Sequence, residues 1–135
     1  RLGKRLTLRV ADLMHGTGYP KLTPDAKWTE VVCALTQGGF GAVNVVDREE
    51  LLLGIITDGD LRRWMMKIQS TELDNLTAKD MMTNNPTVVA PETLAYAALQ
   101  LMEKRESQIS VLPVVDREQK SIGLIRLHDI VRSGL

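Results

Sequence analysis

The chain has 135 residues, 44% of them hydrophobic, and its 17 Lys and Arg balance 17 Asp and Glu. That length suits one compact domain, or two small units sharing a core, able to bury roughly 65–70% of the surface its unfolded form exposes. Zero net charge removes any global attraction to nucleic acid or to an anionic membrane, and no apolar run approaches the ~18 residues of a membrane span, so a soluble cytoplasmic protein with locally recognised partners is expected.

The opening "RLGKRLTLRV" lacks an initiator Met and reads as a linker cut from a longer chain. Residues 20–23 are short and extended, and Pro24-Asp25 after them is a turn and helix-start signal. Trp28, Val31, Val32 and Leu35 then fall at i, i+3, i+4 and i+7, which predicts an amphipathic helix. Cys33, the single cysteine, sits inside that helix and reads as a buried thiol in a reducing compartment. "QGGFGA" (37–42) follows a helix rather than a strand, so it is a helix C-cap and turn, not a phosphate loop. Two β-branched strands come next, 42–46 and 51–57, joined by a charged turn that begins Asp-Arg-Glu. A helix carrying Leu61, Trp64, Met65 and Ile68 closes the unit; this apolar stripe is longer than a small monomer readily covers, so it is also expected to support self-association. "QSTELDNLTAKD" is a polar linker with room for one helical turn. The same order then returns: an extended piece at 87–90, Pro91-Glu92, a helix with Leu94, Ala97, Ala98 and Leu101 on one face, strands 110–115 and 122–126, and a last helix with Leu127, Ile130 and Val131.

This is an internal duplication. "VVDREELLLGIITDGDL" (45–61) aligns without a gap to "VVDREQKSIGLIRLHDI" (114–130) at an offset of 69 residues, and "ADLM" (11–14) matches "KDMM" (79–82). The expected fold is α/β (α+β): two β-α-β-β-α repeats, 1–70 and 71–135, related by pseudo-two-fold symmetry, with sheets flanked by helices and one shared core.

Chemistry concentrates in "GIITDGDLRR" (54–63). A strand that ends at Thr57 and turns into a helix near Asp60 presents unpaired backbone N–H groups and the positive end of the helix dipole, an anion site. Thr57 adds a hydroxyl donor, and ionised Asp60 suits a pair of ribose hydroxyls. Asp58 lies between them, and Gly59 permits a tight turn and close approach of a ligand. The same residues also read as a plain N-cap, with Thr57 or Asp58 capping and Asp60 favouring the dipole. No metal is expected, because an EF-hand-like loop needs further acidic ligands and a distal Glu. In the second copy Gly123 and Asp129 keep the pattern, but Arg126 replaces Thr57 and His128 replaces Gly59. Arg126 binds a phosphate as a charged fork, fills and closes its pocket, or reaches a ligand held by the first copy; the sequence leaves these three open. His15 and His128 lie far apart with no nucleophile at a recognisable spacing, so no catalytic residue is assigned. The methionines read as packing residues, and Arg62 and Arg63 as a solvated helix face, with a phosphate-tail or dimer contact as the alternative.

Repeat, unit order and motif together resemble a tandem pair of cystathionine-β-synthase (CBS) domains, a Bateman module, over nearly the whole chain. The family's Gly-apolar-x-Thr/Ser-x-x-Asp motif is matched by Gly54, Thr57 and Asp60. "GIITDGDLRR", with the entry "RLGKRLTLRVADLMH", is also similar to the C-terminal half of bacterial D-arabinose 5-phosphate isomerases, where a sugar isomerase (SIS) domain precedes a CBS pair. The resemblance implies a phosphate at Thr57, a ribose at Asp60 and a base against the first short strand, about Lys21 to Thr23, with Arg126 or Lys21 as the cation for a sugar carboxylate. It implies a regulatory module rather than an enzyme, needing no cofactor and sensing a nucleotide or nucleotide-sugar such as AMP, ATP or CMP-Kdo. The partner it implies is an upstream SIS isomerase domain at the head of the Kdo and lipopolysaccharide route. It further implies a homo-oligomer, a dimer of CBS pairs, with a tetramer open to the parent chain. The competing expectation is a structural oligomerisation module whose cleft is empty.

Overall fold

The computed structural model describes residues 6–104 and 109–135. Residues 1–5, expected as linker, lie outside the described residues. In chain order the elements are α1 (Val10–Leu13), β1 (Lys21–Leu22), α2 (Trp28–Gly38), β2 (Ala42–Val46), β3 (Leu52–Thr57), α3 (Asp58–Lys67), a 3-10 segment (Ser70–Asn75), α4 (Ala78–Met81), β4 (Thr83–Asn84), α5 (Ala95–Glu103), β5 (Val111–Val115), β6 (Ser121–Arg126) and α6 (Leu127–Arg132). The helix, hairpin, helix order expected of each copy is present. Among the described residues no helix is long and apolar enough to cross a membrane.

The chain divides into two compact units, Tyr19–Pro86 and Arg1–Gly18 with Thr87–Leu135. These bodies cut across the sequential boundary at 70/71, because the segment before each repeat pairs with the sheet of the other. In the Tyr19–Pro86 unit the sheet order is β1-β2-β3-β4, with β1 parallel to β2 and the other pairs antiparallel. In the other unit β5 and β6 form an antiparallel pair, bordered by single bridges, Val89 parallel to Val114 and His15 antiparallel to Leu124. One sheet plan therefore occurs twice, although residues 87–90 supply a bridge where a short strand was expected. The two hairpins also match: Asp47 Oδ1 accepts the amides of Glu49 and Leu51, Asp116 Oδ1 those of Glu118 and Lys120, and Glu50 and Gln119 share a left-handed φ of 69° and 65°.

Two glycines let the segment after α4 lie close against β3 and the segment after α1 lie close against β6. A Cβ on Gly54 would lie 2.6 Å from the Thr83 carbonyl oxygen, and one on Gly123 would lie 2.5 Å from that of His15. Only a residue without a side chain lets the neighbouring backbone approach so closely. The motif glycine of each copy thus stands where a second backbone segment packs close against its strand.

Each unit has its own buried cluster. Val31, Leu35, Val43, Val45, Ile56 and Met81 anchor one; Val10, Ala98, Met102, Leu112, Ile125 and Ile130 anchor the other. β2 and β5 are buried at all five positions, so neither shows polar alternation. Three expectations about helix faces need correction. On α5 the buried residues are Ala95, Ala98 and Met102, while Leu94 and Ala97 are exposed. Leu94 is the N-cap, with extended backbone at ψ 138°, so it does not follow the helical spacing that its sequence position suggests. Cys33 is exposed, since it lies two residues from both Val31 and Leu35 and so turns to the opposite side of α2. Leu61, Trp64 and Ile68 pack against their own unit's core, which leaves Met65 and Met66 as the exposed apolar residues of α3.

Candidate functional site

β3 ends and α3 begins at Thr57, whose extended backbone (φ −111°, ψ 167°) makes it the N-cap. Its hydroxyl accepts from the Asp60 amide at 3.3 Å, while Asp60 Oδ2 accepts the Thr57 amide at 2.9 Å and the Thr57 hydroxyl at 3.1 Å. This reciprocal capping box fits a Thr followed three residues later by a short carboxylate. Of the two readings of the turn, capping is realised, by Thr57 and Asp60 rather than by Asp58. Asp60 is only 8% exposed, yet its remaining oxygen, Oδ1, accepts a 2.6 Å charge-assisted bond from Arg63 Nη2. The Arg63 side chain is 69% exposed, so one surface cation covers an otherwise buried carboxylate.

Gly59 sits in the first turn of α3 and does not make the tight turn expected of it. A Cβ there would meet Arg63 Nη1 at 3.3 Å, which places the guanidinium over Gly59. The left-handed glycine beside the site is Gly41, with φ +69°; its carbonyl accepts the Asp58 amide at 3.0 Å, and a Cβ on it would stand 3.1 Å from Asp58 Oδ2. Asp58 itself is exposed and turns its carboxylate toward that loop.

The register of β1 separates Lys21 and Thr23 from this turn. Ala42 is opposite Thr57 on β3, whereas Lys21 and Leu22 are opposite Asn44 and Val45, so β1 runs away from Thr57 as it approaches Thr23. The Lys21 amine bonds Glu50, in the hairpin at the far end of β2, and that hydrogen bond raises the ammonium pKa above its ordinary value. Thr23 donates to Asp25, whose carboxyl is held below the usual range mainly by that bond. The polar groups of Lys21 and Thr23 are therefore not gathered with Thr57 and Asp60; the backbone of residues 19–20 precedes β1 on the side of Thr57.

In the second copy Arg126 stands where Thr57 stands in the first, and it folds back on Asp129. Asp129 Oδ2 accepts the Arg126 amide at 2.9 Å and Nε at 3.1 Å, and Oδ1 accepts Arg126 Nη2 at 2.8 Å and is 3.0 Å from His15 Nε2. Burial pushes the Asp129 carboxyl up, but the hydrogen bonds from Arg126 and His15 outweigh it and hold the group below the usual range. The same bond raises the Arg126 guanidinium above its ordinary value. Of the three roles open to Arg126, the geometry here is that of a side chain closed over its own aspartate. His128 is exposed.

Spacing missed three contributors. Arg63 was legible as an i+3 neighbour of Asp60. Gly41 carries no signal beyond its loop, and His15 lies 114 residues from Asp129. A separate groove of about 400 Å³ is lined by Trp64, Lys67, Ile68, Glu72, Asn75, Leu76 and Asp80, none of them an expected ligand residue.

Comparison with known proteins adds the family context. The family model described as CBS domain matches residues 10–67 and 78–135. Arabinose 5-phosphate isomerase KdsD of Yersinia pestis is 38% identical over 99% of this chain, which spans 40% of that protein; KpsF of Escherichia coli is 41% identical over 95% of the chain and 38% of its own length. The chain thus covers about two fifths of the curated relatives it matches. Among solved structures, CBSX2 in complex with AMP superposes with a TM-score of 0.80 at 24% identity, covering 94% of this chain and 96% of that one. The CBS domain pair of MJ0100, in complex with 5′-methylthioadenosine and S-adenosyl-L-methionine, gives 0.75 at 24% identity over 92% and 97%.

Proposed function

This chain belongs to the CBS-domain family as a tandem pair, and from that premise we propose that it is a regulatory module binding one nucleotide or nucleotide-sugar at the Thr57–Asp60 turn of its first copy. It adjusts the activity of a longer, cytoplasmic sugar-phosphate isomerase whose catalytic SIS domain lies upstream, as its curated relatives suggest. The observation that carries the reading is the difference between the two motif aspartates. Asp60 is covered by one highly exposed arginine, whereas Asp129 is gripped on both oxygens by Arg126 and His15. Only the first can exchange its partner for ligand hydroxyls without dismantling a cluster.

The ligand class follows from the turn and from the relatives. An N-cap threonine with the amide ends of α3 suits a phosphate, and Asp60 suits a ribose diol. The solved neighbours named with AMP and S-adenosyl-L-methionine support a nucleoside ligand. CMP-Kdo, the activated end product of the expected route, offers the same ribose and phosphate, and is the specific effector tested against the adenylates.

A thermal-shift panel of AMP, ATP, CMP and CMP-Kdo tests the reading. A ligand at 100 times its Kd adds about 2.7 kcal/mol of stability. Binding of a nucleotide more tightly than free arabinose 5-phosphate supports it; preference for the bare sugar phosphate overturns it. Silence across the panel favours the structural module, a reading supported by the internal satisfaction of Thr57 and Asp60. Self-association, expected of the parent, has Met65 and Met66 as its apolar contacts on α3, and light scattering of wild type against Met66→Lys measures it.

A further inference from the structure

We infer that Arg63 is an internal stand-in for the ligand at Asp60, and that its displacement makes the first-copy site selective for anionic nucleosides over neutral ones. The inference rests on the nucleotide reading above and concerns a residue on the next turn of α3. Of the four acceptor sites of the Asp60 carboxylate, both on Oδ2 serve the capping box and one on Oδ1 serves Arg63. Breaking the capping box would unravel the start of a ten-residue helix, whereas Arg63 is anchored only through its guanidinium. A ribose diol donates two bonds where one acceptor site is left, so to bind Asp60 through both hydroxyls it replaces Arg63.

The exchange is unequal for a neutral ligand. An ion pair at 2.6 Å is given up for bonds from uncharged hydroxyls to the carboxylate, and a guanidinium is released beside Gly59 with its counter-charge taken away. A ligand bearing a phosphate restores the balance, because the released fork meets an anion near the Thr57 cap, where α3 already favours negative charge. The second copy gives the contrast. There the arginine is Arg126, 26% exposed, three residues before its aspartate, and held with His15 in one cluster, so it offers no comparable swing.

The test is calorimetry with two ligand pairs, AMP with adenosine and CMP with cytidine, on the wild-type chain, Arg63→Ala and the control Arg62→Ala. Wild type is expected to prefer the phosphorylated member of whichever pair it binds by about ten-fold or more, and Arg63→Ala to cut that preference at least about five-fold while nucleoside affinity holds or rises. Arg62→Ala is expected to keep the wild-type ratio. An unchanged ratio in Arg63→Ala, or an equal fall in Arg62→Ala, overturns the inference and leaves the nucleotide reading standing. Failure of wild type to bind any of the four overturns the inference, and the nucleotide reading falls with it only if ATP and CMP-Kdo also fail to bind.

Discussion

Replacing Thr57 by Ala removes the hydroxyl that accepts the Asp60 amide, so the change acts on α3 before any ligand arrives. The expected cost is about 0.5–2 kcal/mol of stability, read as a lower urea midpoint, and Thr57→Ser should restore it by keeping the oxygen. Binding losses of about 1–3 kcal/mol for Thr57→Ala and Asp60→Ala, beyond the stability change, are expected from the nucleotide reading; unchanged affinity in both would remove the site. Asp129 makes a different prediction. Its folded pKa is depressed, so its contribution to stability is complete above the unfolded value of about 3.9 and is lost as pH falls through the folded value. The gap in unfolding midpoint between wild type and Asp129→Asn should be widest near about pH 6 and narrow below about pH 4; a constant gap down to about pH 3 would contradict the cluster. Thr57 and Asp60 were legible in the sequence as a helix start because a three-residue spacing of this kind is a local signal. His15 was not, because its contact with Asp129, 114 residues away, depends on the bridge from His15 to Leu124, which no local pattern encodes.

At the scale of elements, hydrophobic period and turn chemistry foretold both hairpins and the helices on either side. They failed where geometry is set by neighbours. The stripe on α5 slipped by one position because Leu94 lies outside the helix, and the two-residue strand β4 is too short to announce itself. Gly54 and Gly123 were read as part of a ligand motif, yet each stands against a backbone carbonyl from the segment that pairs with its strand. Gly54→Ala and Gly123→Ala should therefore each destabilise by about 1–3 kcal/mol through overpacking. Gly59→Ala is the contrast: its new methyl would meet only the end of the Arg63 side chain and the Thr57 hydroxyl, so chemical denaturation should place it close to wild type. Equal midpoints for all three variants would refute the distinction.

At the scale of the whole molecule, the duplication announced two equivalent bodies, while their substituted residues make them unequal in chemistry. Titration calorimetry should give one nucleotide per chain, and Arg126→Thr, which restores the first copy's residue type, should raise the count or weaken the Asp129 cluster's resistance to ligand. The exchange of leading segments has a further effect, on the order in which the chain can organise itself. Tyr19–Pro86 is continuous, so a growing polypeptide possesses every part of that unit once Pro86 has been made. The partner unit must hold α1 in reserve until β6 exists, since His15 finds its backbone partner only at Leu124. Closing that long interval adds an entropic barrier that rises only slowly with length, of order (3/2)RT ln n. A chain stopped at Pro86 should accordingly resist protease across 19–86 and be trimmed through α1, a polarity of maturation from the middle of the sequence outward.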